Sequence, residues 1–168
     1  PKIPLVIDAD ALNILSENPN WHQKITKYSI LTPHPGEMAR LTGKTIKEIE
    51  FDRVNICRSY AIKWGCIVIL KGAFTVIGSP NGEIWMSLFA NPNLATAGTG
   101  DILAGIIAGL LAQKVEPLDA AISGVYLHGL SAEMANPEHV SSGIIASDLL
   151  PHIPRAMSQI TRRQFRNG

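Results

Sequence analysis

Short apolar segments that alternate with helical patterns constrain the fold of this chain more than any other feature. Residues 5–8, 30–32 and 66–71 have the length and composition of buried strands. The connecting segments 20–27 and 45–64 carry helical patterns. Strands joined through helices pair in parallel, and a parallel sheet needs both of its faces covered. The sequence therefore predicts an α/β fold with helices on both sides of a mostly parallel sheet.

A hairpin and three helices are predicted after the third strand. Residues 75–78 and 83–88 flank Pro80-Asn81-Gly82, and Asn-Gly accepts positive φ at both turn positions. This pattern predicts an antiparallel hairpin at one edge of the sheet. The predicted helices cover residues 101–113, 117–135 and 144–157.

Composition limits the partners and the location that we expect. The 168 residues are 46% apolar, which is enough for the core of one domain. A net charge of +1 provides no broad basic surface for nucleic acid. The longest apolar run, residues 102–112, is about half of the roughly 20 residues that a membrane-spanning helix needs. Cys57 and Cys66 lie within a predicted helix and strand, which suits reduced thiols. We therefore expect a cytoplasmic protein that binds neither nucleic acid nor membrane.

The first predicted strand begins within five residues of the N-terminus. A buried parallel strand needs neighbours on both sides. We therefore expect the chain to start in mid-fold, with the N-terminal part of the domain absent.

A glycine-rich loop, residues 91–101, opens directly into an apolar helix. The first amides of a helix have no internal partners and lie at the positive end of its dipole, and glycine lets an anion approach them closely. The loop lacks both the P-loop pattern and the third glycine of the dinucleotide motif. It predicts an anion hole of another type, formed by the amides of Gly98, Thr99, Gly100 and Asp101.

Asp101 is unexpected beside a phosphate site, because a carboxylate there repels the ligand unless it has a chemical role. General base catalysis is such a role, since Asp101 can take the proton of a substrate hydroxyl that attacks a phosphoryl group, while the amides hold the developing charge. The alternative is an ordinary acidic residue in a first helical turn, which the helix dipole favours.

Four motifs, taken in order, resemble those of the NAD(P)H-hydrate dehydratases, a branch of the ribokinase-like superfamily. They are DADALN at 8–13, LTPHPGE at 31–37, LKGAFT at 70–75 and ATAGTGD at 95–101. The last motif alone is typical only of the superfamily, whereas HPGE together with KGAxT is much more specific. The resemblance spans residues 5 to 150. It implies a three-layer α/β/α sandwich, with residues 1–168 forming the C-terminal portion of a single ribokinase-like domain.

The resemblance also implies an activity. It is the ATP- or ADP-dependent dehydration of the S-epimer of hydrated NADH or NADPH, a repair of nicotinamide nucleotides. The nucleotide phosphorylates the 6-hydroxyl of the hydrated ring, and loss of phosphate restores NADH or NADPH. The implied partners are the hydrate, an adenine nucleotide with Mg²⁺ and further copies of the same chain in a homo-oligomer.

The resemblance assigns roles to individual residues. Asp101 is implied as the catalytic base and as a substrate contact, Gly100 as a nucleotide contact and His34 as a hydrate contact. The segment implied to bind the nucleotide phosphates consists of Lys71, Gly72, Ala73, Phe74 and Thr75. The alternative for Lys71 is a surface lysine whose stem covers apolar atoms.

The acidic residues of the first two motifs leave alternatives open. His34 and Glu37 could be metal ligands, but two residues three apart with no third partner make a weak zinc site. We expect Glu37 to act through water on a Mg²⁺ that accompanies the nucleotide, or to be an ordinary first-turn acid. Asp8 and Asp10 follow a strand, at the sheet edge where open α/β folds bind ligands, and Asn13 is either part of that group or a cap.

Two positions depart from the family pattern, because Ala97 stands where glycine is frequent and Leu94 where methionine is frequent. Both changes are small and should leave the anion hole intact. Two other functions stay open, namely a ribokinase-like kinase of a vitamin precursor or sugar and an adenylate-binding subunit without activity. HPGE with KGA argues against the first, and an intact Asp101 argues against the second.

Overall fold

The computed structural model describes residues 3–135 and 144–166, with side chains up to residue 160. Its sheet has five strands in sequential order, and four of them run in the same direction, with β4 reversed. The strands are β1 (Val6–Ile7), β2 (Ile30–Leu31), β3 (Ile67–Leu70), β4 (Val76–Gly78) and β5 (Ile84–Met86).

The helices cover both faces of this sheet. The α-helices are α1 (Asp10–Ser16), α2 (Pro35–Thr42), α3 (Ile46–Phe51), α4 (Arg53–Trp64), α5 (Thr99–Ala112), α6 (Pro117–Ala135) and α7 (Ile153–Arg166). Three 3₁₀ helices lie at Trp21–Gln23, Pro92–Ala95 and Ala146–His152. None of the helices within the described ranges is both long and apolar enough to cross a membrane.

Successive strand residues face two separate apolar cores, as the alternation of side chains along a strand requires. Leu31 and Val68 pack with residues of α1 to α4 on one face. Ile30 and Ile67 pack with residues of α5 and α6 on the other. The prediction of an α/β/α layered fold with a mostly parallel sheet is confirmed.

The predicted hairpin is also confirmed, but its turn differs in one respect. The Gly82 amide donates to the Ser79 carbonyl at 3.0 Å, and Gly82 has a positive φ whereas Asn81 does not. Pro80 favours the second position of an ordinary type I turn, and the left-handed residue then follows at Gly82. The expectation of positive φ at both turn positions was wrong.

The connection between β1 and β2 was wrongly predicted. The helix lies at α1 and not at residues 20–27, where only the 3₁₀ turn Trp21–Gln23 forms. Asn20 has a left-handed φ of 59°, which no helix can continue through. Trp21 instead packs on Trp64 with ring centroids 4.8 Å apart, so an aromatic contact anchors this segment.

The helix predicted over residues 45–64 is two helices. Asp52 leaves the helical conformation and its side chain accepts a hydrogen bond from the Asn55 amide, as capping aspartates do. Phe51, the last residue of α3, is 93% exposed. The helix predicted at 144–157 likewise begins as a 3₁₀ segment that contains Pro151, and α7 starts only at Ile153.

Candidate functional site

The carboxyl ends of β1, β2 and β3 meet at one edge of the sheet, where open α/β folds bind ligands. Asp8 follows β1 and Lys71 follows β3. The N-terminus of α5 reaches the same edge, because a Cβ on Gly100 would lie 3.2 Å from Lys71 Nζ and 3.7 Å from Asp8 Oδ2. The fold therefore brings the glycine-rich loop next to a lysine and a carboxylate.

Thr99 holds this loop in shape. Its Oγ1 lies 2.7 Å from the Leu94 carbonyl oxygen and 2.8 Å from that of Thr96, and its side chain is buried. Its amide also donates to the Thr96 carbonyl at 3.2 Å. The amide of Thr99 is therefore already used within the loop, although the sequence had included it in the anion hole.

Three other amides at the start of α5 remain available. Those of Gly98, Gly100 and Asp101 donate no hydrogen bond to residues in the described parts of the chain, and no side chain caps this helix. Gly98 has a φ of 88°, which favours glycine at this position. Unpaired donors at the positive end of a 14-residue helix are groups to which an anion could bind.

Lys71 points its ammonium group into this site. Nζ lies 2.7 Å from Asp8 Oδ1 and 3.9 Å from Glu37 Oε2. The Lys71 side chain is only 20% exposed, so it is not a surface lysine that reaches for solvent.

The segment after Lys71 forms a tight turn. Gly72 and Phe74 both have positive φ, and Thr75 Oγ1 donates to the Gly72 carbonyl at 3.1 Å. Arg53 fixes the start of the turn, since its guanidinium donates to the carbonyls of Leu70 and Lys71 at 3.0 and 3.1 Å. A rigid backbone turn therefore follows the lysine.

A cleft of about 300 Å³ lies between this turn and the start of α5. Its size is at the lower end of the range for small-molecule sites, and most of its walls are apolar. Phe74, Gly98 and Asp101 lie outside its lining, whereas several of the predicted nucleotide contacts are part of it. The lining residues are Lys71, Gly72, Ala73, Thr75, Phe89, Ala90, Asn91, Pro92, Leu94, Ala95, Thr99, Gly100, Leu103 and His128.

His34 and Glu37 cap the N-terminus of α2 reciprocally. His34 Nδ1 accepts from the amides of Gly36 and Glu37 at 3.0 and 3.3 Å, and Glu37 Oε2 accepts from the His34 amide at 2.7 Å. Glu37 is buried, whereas the His34 side chain is 49% exposed. Within the described ranges no three histidine, cysteine or acidic residues are grouped to hold a metal ion.

Asp101 is the third residue of α5 and is exposed. No residue in the described segments forms a hydrogen bond or ion pair with its carboxylate. The carboxylate is therefore free to bind a molecule in solution, directly beside the available amides.

His128 is a site residue that the sequence did not indicate. It lines the cleft from α6, is 8% exposed, and its Nε2 has no hydrogen-bond partner among the described residues. Its pKa is lowered to about 4, mainly by burial and also by the charge of Lys71, while a hydrogen bond with the Thr99 backbone opposes the shift. The imidazole is therefore neutral at pH 7. A single histidine within an apolar helix carries no motif that could have revealed it.

Comparisons with known proteins agree with this geometry. The family model described as NAD(P)H-hydrate dehydratase matches residues 1–155. The ADP-dependent (S)-NAD(P)H-hydrate dehydratase of Neisseria meningitidis is 41% identical over 162 residues, which cover 95% of this chain and 55% of that protein. The chain spans only about 30% of the bifunctional repair enzymes that it also matches.

Two solved structures show the same fold. The ADP/ATP-dependent NAD(P)H-hydrate dehydratase of Bacillus subtilis, co-crystallised with ATP and Mg²⁺, is 34% identical with a TM-score of 0.80, over 93% of this chain and 55% of that one. A ribokinase-like superfamily protein of Enterococcus faecalis is 29% identical with a TM-score of 0.73, over 92% and 52% of the two chains. The fold is thus ribokinase-like, and the chain belongs to the NAD(P)H-hydrate dehydratase family.

Proposed function

We propose that this chain takes part in the ATP- or ADP-dependent dehydration of the S-epimer of hydrated NADH or NADPH. The observation that carries the proposal is the free carboxylate of Asp101 beside three unpaired amides at the start of α5. As the family resemblance implies, residues 1–168 then form the C-terminal portion of a single ribokinase-like domain, and they match about half of the single-function relative. The family resemblance extends this proposal to a cytoplasmic homo-oligomer.

The nucleotide occupies the cleft and the anion hole. Its terminal phosphoryl group accepts hydrogen bonds from the amides of Gly98 and Gly100, and Lys71 supplies a positive charge above them. The turn from Gly72 to Thr75 surrounds the remaining phosphates, and the apolar cleft takes the rest of the nucleotide. The Bacillus subtilis relative was co-crystallised with ATP and Mg²⁺, which supports this choice of ligand.

The charges at this edge favour a nucleotide that brings its own cation. Among the described residues, Asp8, Glu37 and Asp101 place three carboxylates there, beside the ammonium of Lys71 and the Arg53 guanidinium, which also pairs with Glu50. Such a site repels a bare polyphosphate. Both Glu37 oxygens already have partners within the protein, so Glu37 fits a Mg²⁺ only through a bridging water. When bound with the nucleotide, Mg²⁺ neutralises the phosphate charge.

The acceptor hydroxyl of the hydrate lies against Asp101, and the exposed ring of His34 contacts the hydrate from the end of β2. Asp101 removes the hydroxyl proton as that oxygen attacks the terminal phosphorus, and the shortened nucleotide leaves. The available amides hold the charge that develops on the phosphoryl oxygens. Loss of phosphate together with a ring proton then restores the double bond of NADH or NADPH.

The test is Asp101→Asn in the full polypeptide. We expect the variant to bind ADP with Mg²⁺ as the wild type does, but to lose at least about a hundredfold in turnover, the low end for a positioned base. Turnover is followed as phosphate release and as absorbance of the reduced nicotinamide when hydrated NADH is supplied.

Asp119→Asn is the matched control, because Asp119 is likewise an exposed acidic residue at the third position of a helix, here α6. It should leave turnover unchanged. Equal turnover of Asp101→Asn and the wild type would remove Asp101 from the mechanism. Phosphorylation of a hydroxymethylpyrimidine or thiazole alcohol, with no reaction of the hydrate, would instead indicate a small-molecule kinase.

A further inference from the structure

Asp8 and Lys71 form an ion pair between two strand ends that are 63 residues apart in the sequence. Lys71 Nζ lies 2.7 Å from Asp8 Oδ1, and the two side chains are only 20% and 12% exposed. Glu37 is the next carboxylate, at 3.9 Å. A partly buried pair at this distance is screened less than a surface pair, so it restrains the lysine strongly.

The pair fixes the ammonium where the proposed phosphoryl group binds. Nζ lies 3.2 Å from the position that a Cβ on Gly100 would occupy, at the open start of α5. A lysine side chain has four flexible bonds, and an unrestrained one loses rotamer freedom when it binds a ligand. Asp8 removes that freedom before any ligand arrives.

We propose that Asp8 is a positioning residue, which holds the Lys71 ammonium over Gly100 ready to contact a nucleotide phosphate. The inference rests on the proposed function, because it takes the start of α5 as the phosphate site. Asp8 acts through Lys71 and does not touch the reacting atoms.

The proposal makes a prediction opposite in sign to that of simple electrostatics. If Asp8 contributed only its charge, its removal would lessen repulsion and strengthen nucleotide binding. If Asp8 positions Lys71, its removal weakens binding, because the ammonium is then free to leave the site. The direction of the change therefore distinguishes the two roles.

The experiment is calorimetric titration of the chain with ADP and Mg²⁺. We expect Asp8→Asn to raise the Kd about tenfold, as loss of a hydrogen bond to a charged group does. Asp119→Asn is the control, because it removes an exposed carboxylate in the first turn of α6 that is not part of the cleft lining. It should change the Kd less than about twofold.

A double-mutant cycle with Lys71→Met tests whether Asp8 acts through the lysine. In the Lys71→Met background, Asp8→Asn should weaken binding no further. Asp8→Glu, which keeps the charge but displaces it, should give an intermediate Kd, and this variant serves if Asp8→Asn does not fold.

Each outcome is decisive. A Kd for Asp8→Asn equal to or below that of the wild type would overturn the positioning role, as would a wild-type Kd for Asp8→Glu. Further weakening in the Lys71→Met background would show that Asp8 contacts the ligand itself. In these three cases the proposed function stands, whereas failure of the wild type to bind ADP with Mg²⁺ would overturn both.

Discussion

The helices α2 and α5 begin at the same edge of the sheet, but their first turns are built in opposite ways. The His34 side chain, directly before α2, accepts from the amides of Gly36 and Glu37, and the Glu37 side chain accepts from the His34 amide. The residue before α5 is Gly98, which has no side chain to cap the helix, and three amides there stay unpaired among the described residues. The first turn of α2 is therefore satisfied without a ligand, whereas the start of α5 leaves donors that an anion could accept from.

Each first turn also involves a histidine. His34 is half exposed and accepts from the α2 amides, whereas His128 is buried behind the start of α5 and bonds the backbone of Thr99. His128 therefore supports the start of α5 through the Thr99 backbone and leaves the three unpaired amides available to a ligand.

The largest effect that we predict is a pH dependence of stability that His128 causes. The pKa of His128 is lowered from 6.5 to about 4, so the unfolded chain takes up a proton below pH 6.5 and the folded chain does not. Stability is therefore full above pH 6.5, falls as the pH drops, and levels off below about 4, with a loss on the order of 3 kcal/mol.

Chemical denaturation of the wild type and of His128→Asn at several pH values tests this expectation. The variant should lose the part of the pH dependence that the histidine contributes, while asparagine can still bond the Thr99 carbonyl. Identical pH dependence in the two proteins would show that His128 is not a buried neutral group.

The second prediction concerns a methyl group added at the start of α5. A methyl group from Gly100→Ala would lie 3.2 Å from Lys71 Nζ, which is the end of a flexible side chain and can move away. The variant should fold, but displacement of the ammonium should weaken binding of ADP with Mg²⁺ about tenfold.

Gly105→Ala is the control within the same helix, because a Cβ there meets nothing within 4 Å. It should leave binding unchanged and stabilise the protein by about 0.5 to 1 kcal/mol. If both substitutions had the same effect on binding, the start of α5 would not be the phosphate site.

The smallest effect is expected at the start of α2, where His34 caps the helix. His34→Ala removes the acceptor for two amides of α2 and should lower the free energy of unfolding by about 1 kcal/mol. The measurement is the Tm together with denaturant unfolding at pH 7. An unchanged free energy of unfolding would mean that water replaces this cap without loss.

Local sequence patterns were enough to predict the strands and the glycine-rich start of α5. The strands are short apolar runs, and the glycines that open α5 stand next to an apolar helix. It missed the break at Asp52, because a single capping side chain overrode an otherwise continuous helical pattern. It also misplaced the first helix, because the short α1 has few periodic positions.

Most of the contacts that form the site could not be predicted from local sequence patterns. Lys71 and Asp8 were both candidates, but their pairing depends on the order of the strands in the sheet. His128 reaches the cleft only because α6 packs behind α5. Thr99 was predicted to offer its amide to a ligand, but that amide and the hydroxyl bond carbonyls three and five residues earlier in the same loop, a local turn that the sequence pattern did not indicate.

The most direct test of the account is an amide ¹H–¹⁵N NMR titration of the chain with ADP and Mg²⁺. The unpaired amides of Gly98, Gly100 and Asp101 should show the largest shifts, while those of Gly36 and Glu37, already bonded to His34, should stay nearly unchanged. Shifts concentrated at the start of α2, or absent from the start of α5, would contradict the claim that the open helix end binds the nucleotide.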